Sequence, residues 1–325
     1  MIHASSDQAD DPVDCTLDSV FISGQAGHWG NYVRAATLAV QRRYALVCGI
    51  DAHITSDLPA AAGLSSSSAL LTAFSLALLQ ANNIHPALKE LTDVLPDGEQ
   101  LVGTRGGAMD HVAILASRAG FATLINSFAP LVIEYVAIPM QWRFLVAHSL
   151  ITAEKSGAMR AEFNARRTAG TRALKKMGFR SYGEVVTDGA GATGALTGLD
   201  DSERDAFRHV ISEADRVHQA VAALRNDDLQ AFGEILSASH ASLRDGLHVS
   251  LPEIDELVDA ATKAGAFGAR LTGAGFGGCV VCLCTPENVD AIRASLIDVY
   301  YSKRPAFHPE QHLFVAEPSS GALTA

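Results

Sequence analysis

Apolar positions change period several times along the chain, and each change predicts an element. Tyr32, Val33, Ala36 and Val40 recur at helical spacing within residues 28–40, whereas Leu46 to Ile54 reads as a strand. From Ser66 onward the run Ser-Ser-Ala-Leu-Leu-Thr-Ala-Phe-Ser-Leu-Ala-Leu-Leu has the composition of a buried helix, so the local order is strand, loop, helix. Residues 86–100 predict another helix, interrupted at Pro96, and residues 121–126 and 131–136 a hairpin around Pro130. Arg143 to Ser149 looks like a buried strand, residues 156–176 a charged amphipathic helix and residues 202–240 two polar helices. Pro252 opens a further helix at a first-turn position. Two stretches carry little pattern: residues 1–20, where Asp7, Asp10, Asp11, Asp14 and Asp18 predict a weakly structured opening ending in an edge strand over Leu17 to Ile22, and the Gly/Ala/Thr-rich loop of residues 187–198.

A chain of 325 residues is longer than one core usually grows, so two domains are expected, 1–142 and 143–325. Its net charge of −11 disfavours a general nucleic-acid or anionic-membrane surface but not a local basic site. No apolar run is long enough to span a bilayer and the start lacks a signal-peptide pattern, which points to the cytoplasm. Cys279, Cys282 and Cys284 fall inside an apolar run, where cysteine acts as a small hydrophobe; no second pair or nearby His completes a zinc set around Cys279 and Cys282.

The candidate chemistry centres on Leu58-Pro59-Ala60-Ala61-Ala62-Gly63-Leu64-Ser65-Ser66-Ser67-Ser68, a turn of small residues leading into the helix. Polyphosphate could approach its main chain, and a helix N-terminus favours an anion; the competing reading is a plain Ser/Ala loop capping a core helix. No lysine stands beside the serines, which excludes the phosphate loop ending in Gly-Lys-Ser/Thr. A second glycine-rich turn, Thr272-Gly273-Ala274-Gly275-Phe276-Gly277-Gly278, opens a strand rather than a helix, so its Gly-x-Gly-x-x-Gly spelling is not a dinucleotide site. Gly103 to His111 is a third turn; its Asp110 reads either as a helix cap or as an acid close to a bound substrate. Trp29 and Tyr32 read as core packing, His240 as a structural hydrogen-bonding histidine, and the Arg166 and Arg167 pair as a solvated face.

Pro-x-x-x-Gly-Leu-Ser-Ser-Ser resembles the second motif of the GHMP small-molecule kinases, and five segments in order resemble that family's galactokinase branch. They are His28 to Arg34, the serine turn, Gly106 to His111, Ser239 to Asp245 and Arg270 to Cys279. The resemblance implies an α+β, two-domain fold: a ribosomal S5-like N-terminal domain, truncated at its start, and a ferredoxin-like C-terminal domain. It implies an ATP-dependent kinase phosphorylating the 1-hydroxyl of galactose or a related sugar, with small molecules as partners. Trp29 would line the adenine pocket, the Gly63, Leu64, Ser65, Ser66, Ser67 and Ser68 backbone would bind phosphates, and Gly273 and Gly275 would close over them. Asp110 would orient the sugar hydroxyl, with Gly107 and Phe163 also facing the sugar; Ser66, Ser67 and Glu99 would hold Mg²⁺.

Three departures qualify the resemblance. The family's first motif, Arg followed by Gly-Glu-His-x-Asp-Tyr, occurs nowhere in the sequence. On that ground the chain is expected to lack the Arg partner of Asp110, the acids that grip the sugar hydroxyls and at least two strands, leaving an unpaired sheet edge and an open sugar pocket. Ala61-Ala62 stands where galactokinases place a glycine, and Phe163 where they carry a Tyr. Phe163 and Ser68 lean towards the N-acetylgalactosamine kinases; arabinose is a further candidate. A non-catalytic binding homologue is the competing function.

Overall fold

Ile2, Ala4 and Val13 are fully buried while their neighbours are not, so a short alternation hidden among aspartates makes strands of the first fifteen residues. In the computed structural model, which describes residues 1–22, 27–103, 107–126, 130–152, 157–188 and 196–324, these strands are β1 (Ile2–Ser6) and β2 (Ala9–Cys15). This corrects the weakly structured opening that the aspartates predict: Asp10, Asp11 and Asp14 simply face solvent. Pro12 is tolerated because β2 is an edge strand. The strand expected over Leu17 to Ile22 is instead a single 3-10 turn, Leu17–Ser19.

β3 (Asp51–Ile54) pairs in parallel with β1, His3 opposite Asp51, giving the order β2-β1-β3. It is shorter than its apolar run because the Val47 and Cys48 N–H groups donate to Asn82 Oδ1 (2.8 and 3.0 Å), beyond the end of α2 (Ser66–Ala81). α1 (Gly30–Arg43) and α3 (Leu88–Leu101) pack against α2, with Val33, Ala36, Val40, Leu71, Leu91 and Leu95 in the core. α3 runs through Pro96 without the expected break. Proline removes one backbone bond, but Leu91, Val94, Leu95 and Gly98 are buried on both sides of it, and that packing holds the helix.

After α4 (Met109–Ala116), β4 (Phe121–Asn126) and β5 (Val132–Ala137) form the expected hairpin. β6 (Arg143–His148) is then a central strand of an antiparallel sheet of order β7-β8-β6-β9, completed by β7 (Gly268–Leu271), β8 (Cys279–Cys284) and β9 (Leu313–Ala316). α5 (Gly157–Lys176), α6 (Tyr182–Asp188), α7 (Asp201–Arg225) and α8 (Leu229–Ala241) build a helical layer that reaches this sheet through α8 on β7. α9 (Pro252–Lys263) and α10 (Val289–Val299) bury Ile254, Leu257, Ile292 and Leu296 against Leu145, Val280 and Cys282; a short α11 (Pro309–His312) precedes β9. Burial pushes the Cys279 and Cys284 thiols up to about 12 and Cys282 higher still, so these cysteines stay protonated.

The chain end then returns to the N-terminal half. Ala322 and Leu323 donate to the Ile114 and Leu115 carbonyls of α4 (2.8 and 2.9 Å). Among the described residues, no helix is long and apolar enough to cross a membrane.

Candidate active site

The serine turn has an unusual backbone. Ala61, Gly63 and Ser65 all take positive φ (52°, 71° and 57°), so the chain coils left-handed three times before α2 starts. Ser65 makes no side-chain cap, and the first backbone bond of α2 runs from Ala69 N–H to Ser65 O (2.9 Å). The Ser66, Ser67 and Ser68 N–H groups therefore have no intrahelical acceptor, which leaves donors at the positive end of a sixteen-residue helix. The Ser66 hydroxyl turns back to accept from Ala61 N–H (3.3 Å), closing the turn on itself.

The second glycine turn lies directly on this backbone. Cys279 N–H donates to Ala62 O (2.9 Å) and Thr272 Oγ1 to Gly63 O (3.1 Å). A Cβ on Gly273 would stand 2.8 Å from Gly63 O, and one on Gly278 2.6 Å from Ala62 O, so both glycines are required by main chain meeting main chain. Gly275 is equally confined, 2.3 Å from Val249 O. Two turns more than two hundred residues apart in sequence thus form one backbone surface, and neither carries a bulky side chain at the junction. Thr272 and Gly278 were not singled out by the sequence; both sit inside the glycine motif, and their role is visible only once Ala62 and Gly63 are placed against them.

Beneath the first turn of α2 lies a buried polar group. Ser68 Oγ donates to Glu99 Oε1, Thr72 Oγ1 meets His111 Nδ1 at 3.1 Å, and His111 Nε2 is 4.0 Å from Glu99 Oε2. Glu99 and His111 are 3% and 0% exposed. The serine whose hydroxyl Glu99 engages is Ser68, the residue after Ser67, while the Ser66 hydroxyl turns back to Ala61. Asp110, next to His111 at the start of α4, is half-buried and makes no ion pair among the described residues. Gly107 is exposed, and a Cβ there would meet nothing. Trp29 packs on the N-terminal core and donates its indole N–H to Asp11 O (3.0 Å), so its hydrogen bond goes to β2 rather than to the serine turn. The Phe163 side chain, residues 104–106 and most of the expected loop at 187–198 lie outside the described residues.

The far side of the glycine turn is braced by the helical layer. Glu213 of α7 accepts from Ser239 Oγ (2.7 Å) and Arg216 Nε (2.5 Å) and lies 3.8 Å from Arg270, whose own Nε donates to Leu271 O (3.0 Å). Burial acts against the Glu213 charge, but the Ser239 and Arg216 bonds outweigh it and hold the carboxyl below its usual range. His240 is buried, pairs with Asp255 (3.1 Å), and is held mainly neutral by desolvation, in keeping with a structural histidine.

Residues 31–118 match the family GHMP kinases N terminal domain, and residues 220–302 GHMP kinases C terminal. Over 293 residues the chain is 36% identical to a galactokinase of Roseiflexus sp. (strain RS-1), covering 88% of this chain and 73% of the relative. A galactokinase of Chloroflexus aurantiacus is 37% identical over 282 residues, 84% of this chain and 70% of the relative. Among solved structures, Lactococcus lactis galactokinase complexed with galactose superposes with a TM-score of 0.87 at 28% identity, covering 98% of this chain and 83% of that one. Methanococcus jannaschii mevalonate kinase, at 17% identity, 98% and 85% coverage and a TM-score of 0.63, shares the fold.

Proposed function

The chain belongs to the GHMP kinase family, in its galactokinase branch, and from that premise we propose that it transfers the terminal phosphoryl group of ATP to the 1-hydroxyl of galactose or a close relative. The observation that carries this reading is the interlock of the two turns. Phosphoryl transfer asks a protein mainly to position its reactants and to stabilise charge, and a shared surface of main-chain N–H groups at a helix N-terminus does both. The Gly63 to Ser68 backbone cradles the phosphates, and Gly273 and Gly275 roof them. Trp29 is assigned to the adenine side, and Gly107 and Phe163 to the sugar.

Asp110 orients the acceptor hydroxyl and can take its proton, standing at the start of α4 where the neighbouring Gly107 leaves the backbone open. Mg²⁺ is usually held by one or two carboxylates together with substrate phosphates, and the oxygen donors present fit that demand. Glu99, with Ser66, Ser67 and Ser68 above it, would hold the ion, which when bound would neutralise charge on the phosphates. The Ser68 bond fixes the Glu99 carboxylate in one orientation at the floor of the cradle.

The test is ADP release with ATP and, in turn, galactose, N-acetylgalactosamine and arabinose, alongside a separate measurement of ATP binding. Turnover with one of them identifies the sugar. ATP binding without turnover on any would replace the kinase reading with that of a nucleotide-binding homologue.

A further inference from the structure

α8 does not end as an ordinary helix. Its last residues widen into a π-turn, Ser242–Gly246, in which Leu247 N–H reaches back to Ser242 O (3.0 Å). Single π-turns are uncommon and gather at functional sites. The chain leaves this one through His248, at φ 55°, and Val249 N–H donates to Leu243 O (3.0 Å). The Val249 carbonyl then accepts from Phe276 N–H (2.8 Å) and stands where a Gly275 side chain would have to go. The π-turn thus sets the position of the glycine turn, and the glycine turn rests on Ala62 and Gly63.

A helix end leaves carbonyls without intrahelical donors. Here one of them, Leu247 O, is taken by Arg166 Nε from α5 at 3.0 Å. Arg166 is itself held one helical turn from Glu162, 3.2 Å from its carboxylate, and its side chain is only 30% exposed. A guanidinium on a carbonyl is a charge-assisted bond and stronger than a neutral one. The pair expected to be a solvated face therefore contains one residue with a defined task.

We propose that Arg166 is a positioning residue: by holding the Leu247 carbonyl it fixes the π-turn that seats Val249 against Gly275 and Phe276, so that α5 and the phosphate-facing backbone are held as one unit. The path has four links, each a bond or a contact in the structure: Arg166 to Leu247, Leu247 through the π-turn to Val249, Val249 to the glycine turn, and the glycine turn to Gly63. α5 also carries Phe163, three positions before Arg166, so a sugar bound beside α5 would be coupled to the roof over the phosphates. This consequence rests on the kinase reading above; the mechanical link does not.

Two measurements on the whole chain separate them. Native-state hydrogen exchange of the ligand-free protein reads the link without any activity. Arg166→Ala should raise exchange about tenfold or more at the Val249 and Phe276 amides and leave the α2 amides unchanged, the size expected for loss of one charge-assisted bond. Unchanged exchange at both amides overturns the proposal. Steady-state kinetics with the sugar that turns over should then show a fall in kcat of similar size with the KM for sugar nearly constant, and Arg166→Lys, which keeps a cationic donor, should recover most of it. A rise in sugar KM at constant kcat overturns the positioning role in favour of direct binding. If Arg166→Ala loses its cooperative unfolding transition, Arg166→Lys and Arg166→Gln carry the same two comparisons. Absence of turnover by the parent chain on every sugar tested counts against the kinase reading alone, and the exchange result still decides the link.

Discussion

Ala61 carries a left-handed backbone (φ 52°) with a Cβ, where glycine would be at ease. The family resemblance puts a glycine where this chain has Ala61-Ala62, and the left-handed backbone at Ala61 is a place that favours one. Ala61→Gly should therefore raise the unfolding free energy by about 1 kcal/mol, offset in part by the greater freedom of glycine in the unfolded chain. A urea titration checks it, and a midpoint below that of the parent would show that the turn tolerates alanine without strain. Asp110 makes a second prediction at this scale. Asp110→Asn keeps size and hydrogen bonding but removes the charge, so turnover should fall roughly 10²-fold or more with little change in ATP affinity. Equal losses in both would place Asp110 in nucleotide binding instead. Single residues were the least legible part of the site in sequence. Ser68 resembles its neighbours Ser66 and Ser67 on paper, and only the placement of α3 beside α2 shows that it is the one whose hydroxyl meets Glu99.

The elements themselves were read well where one face is apolar and poorly where local chemistry and packing disagree. α2, α9 and β8 follow directly from their patterns, since each buries an apolar stripe or run. β1 and β2 did not, because only Ile2, Ala4 and Val13 carry their inward faces and five aspartates surround them. Pro96 misled in the opposite sense. Proline is a strong local signal, yet Leu91, Val94, Leu95 and Gly98 commit the whole of α3 to the core. The missing donor at Pro96 still has a cost, so Pro96→Ala should stabilise the protein by about 1 to 3 kcal/mol through the restored backbone bond, less the entropy that proline removes from the unfolded chain. Denaturation followed by circular dichroism would report it, and a loss of stability would mean that the proline ring is itself part of the packing. The π-turn after α8 has no sequence signature at all; the chain just beyond it is held by Arg166 at Leu247 and by the glycine turn at Val249.

At the scale of the whole molecule, the residues alone showed the order of the glycine-rich segments, while their convergence followed only from the family resemblance, since bonds such as Thr272 to Gly63 join distant parts of the chain. The same long-range packing buries histidines, and this makes stability depend on pH. His148 ends the central strand β6 and is 8% exposed; its Nδ1 accepts from Leu150 N–H (2.8 Å), and the His312 ring lies 5.3 Å away. Burial first, and the neighbouring His312 second, bring its pKa down to about 4. His240, His209 and His312 are lowered as well, each chiefly by burial. A histidine with a lowered folded pKa takes up its proton more readily in the unfolded chain. The folded state therefore keeps its full stability above the ordinary value of 6.5 and loses it progressively as pH falls from there to about 4, below which the full loss is present. For His148 alone the full loss is on the order of 3 kcal/mol. Asn at this position keeps an oxygen that can accept from Leu150 N–H but does not titrate, so His148→Asn should flatten the fall in urea midpoint between pH 6.5 and 4 relative to the parent. If parent and variant lose stability in parallel over that window, the acid sensitivity resides in the other buried histidines and not at the end of β6.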